Sequence, residues 1–197
     1  KLLDANELSR KKVERLELLT SSIKVGIWEK DVLLDEEVWS KRLFNILGYE
    51  QNEIEGTSEN FIKHVHPEDV DKLQIASNES IRRSTPKTIE IRVKRKDGQY
   101  IWVEATGNSR RNNKGKLELL IAGVLDVNDK KILEQQLKTF VQRAPAAIAM
   151  LDTQMNYLAV SYKWLDYHHL ENDSLVGKNH YHVFADSDEK QKLWHQR

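Results

Sequence analysis

Apolar and polar residues alternate through the middle of the chain, a period of two that is typical of half-buried β-strands. Residues 88–94 and 100–106 alternate in this way, while 116–127 carry apolar residues on both faces. Asp97-Gly98 lies between the first two segments and predicts a type I′ hairpin turn, which needs a positive φ at both positions. A second turn is predicted at 112–115. The pattern therefore predicts a three-stranded antiparallel meander, with both of its faces covered by other elements.

Apolar residues at helical spacing precede the meander. Leu43, Ile46 and Leu47 share one face of a predicted short helix, which ends at Gly48 because glycine readily takes the left-handed conformation after a helix. The segment His66-Pro67-Glu68-Asp69 opens a longer helix, since proline suits the first helical position and acids there complement the helix dipole. This second helix is predicted to run over 67–83, and Pro86 follows it.

An N-terminal helix is predicted over 1–24, which contain no glycine or proline. Leu16, Leu19 and Ile23 fall on one face of it. That face packs either on its own domain or on a dimer partner, and the sequence leaves both interpretations open.

A linker helix is predicted over 128–144, where Asn128 is a suitable capping residue. Leu133, Leu137 and Phe140 are spaced by four and three residues, which predicts a short coiled-coil-like seam. Pro145 ends the helix.

The chain repeats itself after this linker. A shift of 121 positions aligns the segment before the meander with the end of the chain, without a gap. Five identities lie on that alignment: Ile27 with Ile148, Asp31 with Asp152, Ser40 with Ser161, Glu50 with Glu171 and Gly56 with Gly177. No counterpart of the meander follows, so 145–197 are expected to form half of a second domain, which packs on the first domain, exchanges strands with another chain or reflects a truncation.

Composition narrows the function classes. The 197 residues carry 31 basic and 31 acidic side chains, and this balance lacks the positive charge of a nucleic-acid-binding protein. Cysteine is absent, which excludes disulfides and thiolate–metal sites. No apolar run reaches the ~20 residues of a membrane span, and no signal peptide opens the sequence. We therefore expect a cytoplasmic fragment of a longer protein, without membrane contact.

The ordered motifs of residues 20–130 resemble a PAS domain with its C-terminal PAC motif. The resemblance rests on Trp28, Leu47-Gly48-Tyr49, the HVHPED run, the hairpin at 96–98 and the segment KGKLELLIAGVLDVNDKKILEQQL. The family ends its last strand in Asp-x-Thr, whereas this chain has Asp126-Val127-Asn128. Residues 140–184 resemble the opening half of a second PAS domain.

The resemblance implies an α+β fold, in which short helices cover one face of a five-stranded antiparallel sheet and leave a hollow able to hold a small ligand. The implied division is a helix at 1–24, a PAS/PAC domain at 25–127, a signalling helix at 128–144 and a partial domain at 145–197. The implied function is that of a bacterial sensor module, with a histidine kinase or, as second choice, a diguanylate cyclase downstream. Asp126, Asn128, Leu133 and Glu134 are the expected relay residues.

The sequence contains few of the residue patterns that enzymes and cofactor-binding proteins use. The nucleophile-elbow, phosphate-loop and zinc-protease motifs are absent, so we expect no enzymatic activity in this segment. The seven histidines lack the i, i+4 spacing of a helical metal site. Haem-binding relatives use a histidine on the helix before the meander, and 67–83 contain none. Cysteine-dependent flavin photochemistry is excluded. The expected ligand is therefore an unidentified small molecule.

The remaining candidate is an apolar pocket, because ligand pockets are mostly apolar with few polar anchors. Its candidate residues equally suit a filled core: Trp39, Phe44, Leu47, Phe61, Val65, Ile89, Ile91, Val103 and Ile121. The alternative function is a ligand-free adapter that dimerises through Tyr100 and Trp102 on the outer face of the sheet, together with the helix 1–24. In both interpretations we expect a homodimer.

Overall fold

The computed structural model describes residues 24–170 and 175–184. The chain divides into two compact units, residues 1–129 and 130–197. Leu16, Leu19 and Ile23 of the predicted N-terminal helix lie outside the described residues.

The first unit alternates short helices with strands before its meander. In chain order its elements are β1 (Val25–Asp31), β2 (Glu36–Trp39), α1 (Lys41–Leu47), α2 (Ser58–His64), a 3₁₀ turn (Pro67–Asp69), α3 (Val70–Arg83), β3 (Lys87–Lys94), β4 (Tyr100–Arg111) and β5 (Leu117–Asp126). Helix α4 (Asn128–Gln142) follows β5, and the boundary between the two units falls within it.

The five strands form one antiparallel sheet in the order β2-β1-β5-β4-β3. The meander is therefore confirmed, and β1 lies beside β5 although the two are far apart in sequence. The predicted fold class, α+β with a five-stranded antiparallel sheet and short helices, is confirmed as well. Strands β1 and β5, from the start and the end of the unit, are therefore neighbours within the sheet. Strand β5, which precedes α4, is thus hydrogen-bonded to the first strand of the chain.

The β3–β4 turn differs from the predicted type I′ turn. Gly98 has a φ of 86°, whereas Asp97 is not among the described residues with positive φ. Arg95 N–H donates to Gln99 O at 2.8 Å, and Gly98 N–H donates to Arg95 O at 2.9 Å. These bonds enclose a three-residue loop that ends in a left-handed glycine, the arrangement that matches strand twist when three residues connect a hairpin.

The core lies between the inner face of the sheet and helix α1. Residues at alternate positions of β3 and β4 point inward, as the period of two requires. The buried apolar side chains are Trp39, Leu43, Phe44, Ile46, Leu47, Val65, Ile91, Val93, Ile101, Val103, Ala105 and Val124. Gly26 on β1 permits α1 to approach closely, because a Cβ added there would lie 2.7 Å from Leu43 Cα.

Helix α3 is fastened to the sheet by an ion pair. Asp69 is 9% exposed, and its Oδ2 accepts the backbone N–H and the Nε–H of Arg92, each at 2.8 Å. The hydrogen bonds from the Arg92 guanidinium lower the pKa of Asp69 to about 2. Asp69 thus joins the start of α3 to β3, a role beyond the helix-dipole effect expected from its position.

Helix α2 was not predicted from the sequence. Thr57 caps it, since its Oγ1 accepts the N–H of Asn60 at 3.2 Å. The helix contains no fully buried residue, so the apolar periodicity that reveals longer helices is weak here.

The second unit reproduces the opening of the first. Its described elements are β6 (Ala149–Leu151), β7 (Tyr157–Val160), α5 (Tyr162–His168) and α6 (His180–Val183). Ala149 pairs with Val160 in β6 and β7, as Trp28 pairs with Trp39 in β1 and β2, and both pairs are related by the 121-residue shift. Helix α5 occupies the positions of α1 under the same shift, so the sequence repeat is also a structural repeat.

Candidate ligand-binding site

A pocket of about 350 Å³ lies in the first unit, between the sheet and the helices α2 and α3. Strands β1, β3, β4 and β5 form its floor, and the two helices form its walls. Its described lining is mostly apolar, and consists of Trp28, Ser58, Phe61, Ile62, Leu73, Gln74, Ala76, Ser77, Asn78, Ser80, Ile81, Lys87, Ile89, Ala105, Gly107, Asn108, Leu120, Ile121, Ala122 and Val124. The volume is at the lower end of the range in which proteins hold small molecules.

Small residues on the floor explain why the space is open. Gly107 pairs with Ala122 across β4 and β5, and Ala105 pairs with Val124 in the next inward-facing row. A Cβ added at Gly107 would find its nearest neighbour, Ser80 Oγ, 4.0 Å away. Interiors are normally close-packed, so a row of small residues beneath a helix leaves a hollow unless the helix moves closer.

Two polar contacts hold the walls apart from the floor. Ser80 is 3% exposed, and its Oγ donates to Gly107 O at 3.1 Å, which fixes the distance of α3 from β4. At the other end, Glu37 accepts hydrogen bonds from Trp28 Nε1 at 2.9 Å and from Ser58 Oγ at 3.0 Å. Burial opposes ionisation of Glu37, but the hydrogen bonds from Trp28, Ser58 and Lys30 outweigh it and lower its pKa. The wall residues are thus positioned by bonds that do not depend on a filled pocket.

The structure separates the predicted pocket residues into two groups. Phe61, Ile89 and Ile121 line the pocket. The others are nearly fully buried and pack together as core: Trp39, Phe44, Leu47, Val65, Ile91 and Val103. Large side chains fill the end of the sheet next to α1, and the hollow lies where the side chains are small.

Sequence analysis missed the wall formed by α3, including Leu73, Ala76, Ser77 and Ser80. It also missed the small floor residues Ala105, Gly107 and Ala122. The available signal was the presence of small residues at inward-facing positions of two strands, where neighbouring inward positions carry valine or isoleucine.

Strand β5 connects the pocket to helix α4. Val124 lines the pocket, and two residues later Asp126 Oδ1 accepts the N–H of Asn128 at 2.9 Å. The side chain of Asn128, the predicted capping residue, bonds to the neighbouring strand, since its Oδ1 accepts the N–H of Trp102 on β4 at 3.3 Å. Val127 N–H donates to Trp102 O at 3.0 Å. The start of α4 is thus joined to two strands of the pocket floor.

The other relay candidates lie on the surface of α4. Leu133 is 67% exposed, and Glu134 lies 3.8 Å from Lys131 Nζ. Leu137 and Phe140, 53% and 74% exposed, continue the face on which Leu133 lies. The predicted seam is therefore an apolar stripe on the helix surface.

Of the predicted dimer face, Tyr100 is 44% exposed. Trp102 is half-buried, and the guanidinium of Arg92 lies 5.5 Å from the centre of its ring. Tyr100 packs edge-on against the His66 ring with 4.8 Å between ring centres. These two residues lie on the outer face of the sheet, as the alternation in β4 predicts.

Within 24–170 and 175–184, no cluster of three or more histidine, cysteine or carboxylate side chains could hold a metal ion. In the same residues, no helix combines the length and the apolar character needed to cross a membrane.

The sequence and the structure both match known proteins. A family model of the PAS fold matches residues 36–123. A probable diguanylate cyclase of Escherichia coli (strain K12) is 28% identical over 140 residues, which cover 68% of this chain and 12% of that protein. The chain therefore spans a small part of this relative's length.

Among solved structures, a sensory box histidine kinase/response regulator from Burkholderia thailandensis is 24% identical and has a TM-score of 0.54. The match covers 64% of this chain and 93% of that one. The N-terminal domain of a diguanylate cyclase with a PAS/PAC sensor, from Marinobacter aquaeolei, is 18% identical with a TM-score of 0.49, covering 54% and 98% of the two chains. The first unit of this chain therefore has the PAS fold, which the family model matches over residues 36–123.

Proposed function

We propose that the first unit senses a small molecule in its pocket and passes the bound state to an output domain through helix α4. The unit works as a two-state switch, and the ligand shifts the equilibrium by binding one state more tightly than the other. This segment itself catalyses no reaction, and neither a metal ion nor a prosthetic group is proposed for it.

The observation that carries this proposal is the double role of β5. Ala122 and Val124 face the pocket, and Asp126 at the end of the same strand holds the first N–H of α4. A strand that moves under a ligand therefore moves the start of the helix. Because Asn128 also bonds to Trp102 on the adjacent strand, a change in the register or twist of β4 and β5 changes the direction in which α4 leaves the sheet.

The output domain is proposed to be a histidine kinase or a diguanylate cyclase. The family resemblance favours the kinase, whereas the Escherichia coli relative is a probable diguanylate cyclase and supports the second choice. The protein is proposed to act in the cytoplasm as a homodimer, with no nucleic acid partner. The stripe of Leu133, Leu137 and Phe140 supports dimerisation, because an exposed apolar row at this spacing suits a second copy of the same helix.

The second unit is proposed to be the opening half of another PAS domain, as its repeat of β1, β2 and α1 supports. A two-stranded sheet by itself is only marginally stable in water, so this unit needs further packing partners to be stable.

The test of the relay is the substitution Asp126→Ala in the full-length protein. Removal of the carboxylate breaks the bond to Asn128 N–H, so the output activity should become independent of the pocket while the unit stays folded. The matched control is Asp129→Ala, three positions further along the chain, which removes an exposed carboxylate in the first turn of α4. Output and thermal unfolding are measured for both variants. Unchanged regulation in the Asp126→Ala protein, with an unchanged melting temperature, contradicts the relay.

A ligand-free adapter remains the second candidate, favoured by the exposure of Tyr100 on the outer face. Native mass spectrometry of the purified protein separates the two, since a sensor retains or takes up a small molecule and an adapter does not.

A further inference from the structure

We infer that the ligand of this pocket is an anionic amphiphile, with a carboxylate at Lys87 and an apolar body that extends across the strands to Trp28. This inference rests on the proposed ligand-sensing function and specifies its ligand class.

A single row of residues across the sheet carries the inference. Lys87 pairs with Gly107, Gly107 pairs with Ala122, and Ala122 pairs with Trp28. All four residues line the pocket. The row therefore has a cation at one end, an aromatic ring at the other, and two small floor residues between them. Adjacent strands are about 4.8 Å apart, so the row spans about 14 Å from the first strand to the fourth.

Lys87 has an unusual position for a charged residue. It shares the inward-facing alternation of Ile89 and Ile91 on β3, so its side chain begins on the core side of the sheet. Among the described lining residues, Lys87 is the charged one, and none carries a carboxylate. The nearest carboxylates, Glu79 and Glu37, lie outside the lining and are already bonded to Lys87 and to Trp28, respectively. The lining itself therefore presents a positive charge at its edge and no negative charge.

At the edge of the pocket, Lys87 already forms an ion pair with Glu79, and a ligand must compete for it. Lys87 Nζ lies 2.8 Å from Glu79 on α3, and both side chains are about one-third exposed. Lys87 lowers the pKa of Glu79, which stays ionised at neutral pH. An entering carboxylate therefore competes with Glu79 for the ammonium group, and removal of Glu79 should strengthen its binding.

The size of the pocket limits the ligand. About 350 Å³ accommodates roughly a dozen non-hydrogen atoms if each takes the ~30 Å³ of a water molecule. The floor between Lys87 and Trp28 is long, and the residues in its middle are small. An extended chain or a flat ring system therefore fits it better than a branched molecule.

The experiment compares three probes with the same apolar chain: decanoate, decanol and decylammonium. Binding to the purified chain is measured by isothermal titration calorimetry below the micelle concentration. We expect decanoate to bind about tenfold more tightly than decanol, which corresponds to one charge-assisted contact, and decylammonium to bind most weakly. The variant Lys87→Met should remove the preference for decanoate and leave decanol binding unchanged. The matched variant Glu79→Gln should raise the affinity for decanoate several-fold.

Pocket-filling variants test the location. Ala122→Leu places a larger side chain in the middle of the row and should abolish binding of all three probes. Ala76→Leu on α3 fills the same space from the helix and serves if the strand variant fails to fold. Equal affinities for decanoate and decanol, or a preference that survives Lys87→Met, would overturn the anionic ligand class while leaving a sensing pocket in place. If no probe binds and Ala122→Leu leaves the output of the full-length protein unaltered, the proposed sensing function fails as well.

Discussion

Ser161 Oγ accepts the backbone N–H of Ile148 at 2.9 Å, and 121 positions earlier Ser40 Oγ accepts the N–H of Ile27 at 2.8 Å. In both units the serine N–H also donates back to the carbonyl of the same isoleucine. The serine therefore closes the second strand of each unit onto the first, just before the helix begins. A shared contact of this kind shows that the weak sequence repeat preserves a specific hydrogen-bond pattern.

The two serines should differ in their contribution to stability. Ser161 is fully buried, caps α5 through Trp164 N–H and donates to Ala146 O, whereas Ser40 makes no side-chain cap to α1. We expect Ser161→Ala to destabilise the second unit by about 2 kcal/mol and Ser40→Ala to destabilise the first by about 1 kcal/mol. Hydrogen exchange of the two units, measured separately by mass spectrometry, checks this order. Equal losses, or a loss spread over both units, would contradict it.

The Asp69–Arg92 pair should make the stability of the first unit depend on acid pH. Because Arg92 holds the pKa of Asp69 at about 2, below the value of about 3.9 in an unfolded chain, the ionised pair stabilises the folded state above pH 4. That stabilisation is lost as the pH falls from about 5 to 2. Asp69→Asn should cost about 2 kcal/mol at pH 7 and flatten this part of the pH profile.

Urea unfolding followed by tryptophan fluorescence at several pH values checks the effect of Asp69. The control is Asp71→Asn, which removes an exposed carboxylate in the first turn of α3. A pH profile for Asp69→Asn that parallels the wild-type profile below pH 5 would show that the pair does not act as inferred.

Gly26 should tolerate no side chain. A Cβ there would lie 2.7 Å from Leu43 Cα and 2.9 Å from Leu43 Cβ, so α1 would have to move away from β1. We expect Gly26→Ala to destabilise the unit by about 3 kcal/mol through overpacking. Gly123→Ala on the neighbouring strand is the control, because its Cβ would meet a valine methyl group at 3.1 Å and needs a smaller adjustment. Thermal unfolding of both variants provides the comparison, and a smaller loss at Gly26 than at Gly123 would contradict the close approach.

The apolar stripe of α4 should determine the oligomeric state. Leu137→Ser combined with Phe140→Ser removes two exposed apolar side chains and should shift a dimer towards monomer by at least tenfold in dissociation constant. Sedimentation equilibrium measures the shift. The control is Ile75→Ser, which removes an exposed apolar residue of a different helix, α3. If the double variant and Ile75→Ser change the dissociation constant equally, the stripe is not the dimer contact.

Several elements could be predicted because their signals are local. Alternation predicted the meander, Gly48 ended α1 with a φ of 82°, and Pro67 marked the start of the segment that leads into α3. Helix α2 and the type of turn at Gly98 could not be predicted in the same way. The helix lacks a buried apolar face, and Asp-Gly is compatible with both a two-residue and a three-residue loop, which differ by where the strands pair.

The candidate site could also be predicted only in part, because some of its features depend on local sequence patterns and others on contacts between residues far apart in the chain. Which strand residues face inward follows from the period of two, so Ile89 was found among the apolar candidates. Phe61 lies on α2 and Ile121 alternates with the inward residues Ala122 and Val124, so this period explains neither of them. Whether a given inward residue fills the core or borders a hollow depends on what lies across from it. Ile91 and Val103 are buried as a register pair in the core, whereas Gly107, four residues further along β4, and its partner Ala122 on β5 lie under an open space.

By itself the amino-acid sequence determined the meander, the helices α1, α3 and α4, the repeat and the family resemblance, since each follows from residue types along the chain without knowledge of which residues meet in space. The alignment of Lys87, Gly107, Ala122 and Trp28 in one row was decided by tertiary structure. These residues come from four strands and share one row through long-range register. The space above the row depends on the height at which Ser80 holds α3 above the sheet. Register and helix height arise from the packing of the whole unit, which no local pattern contains.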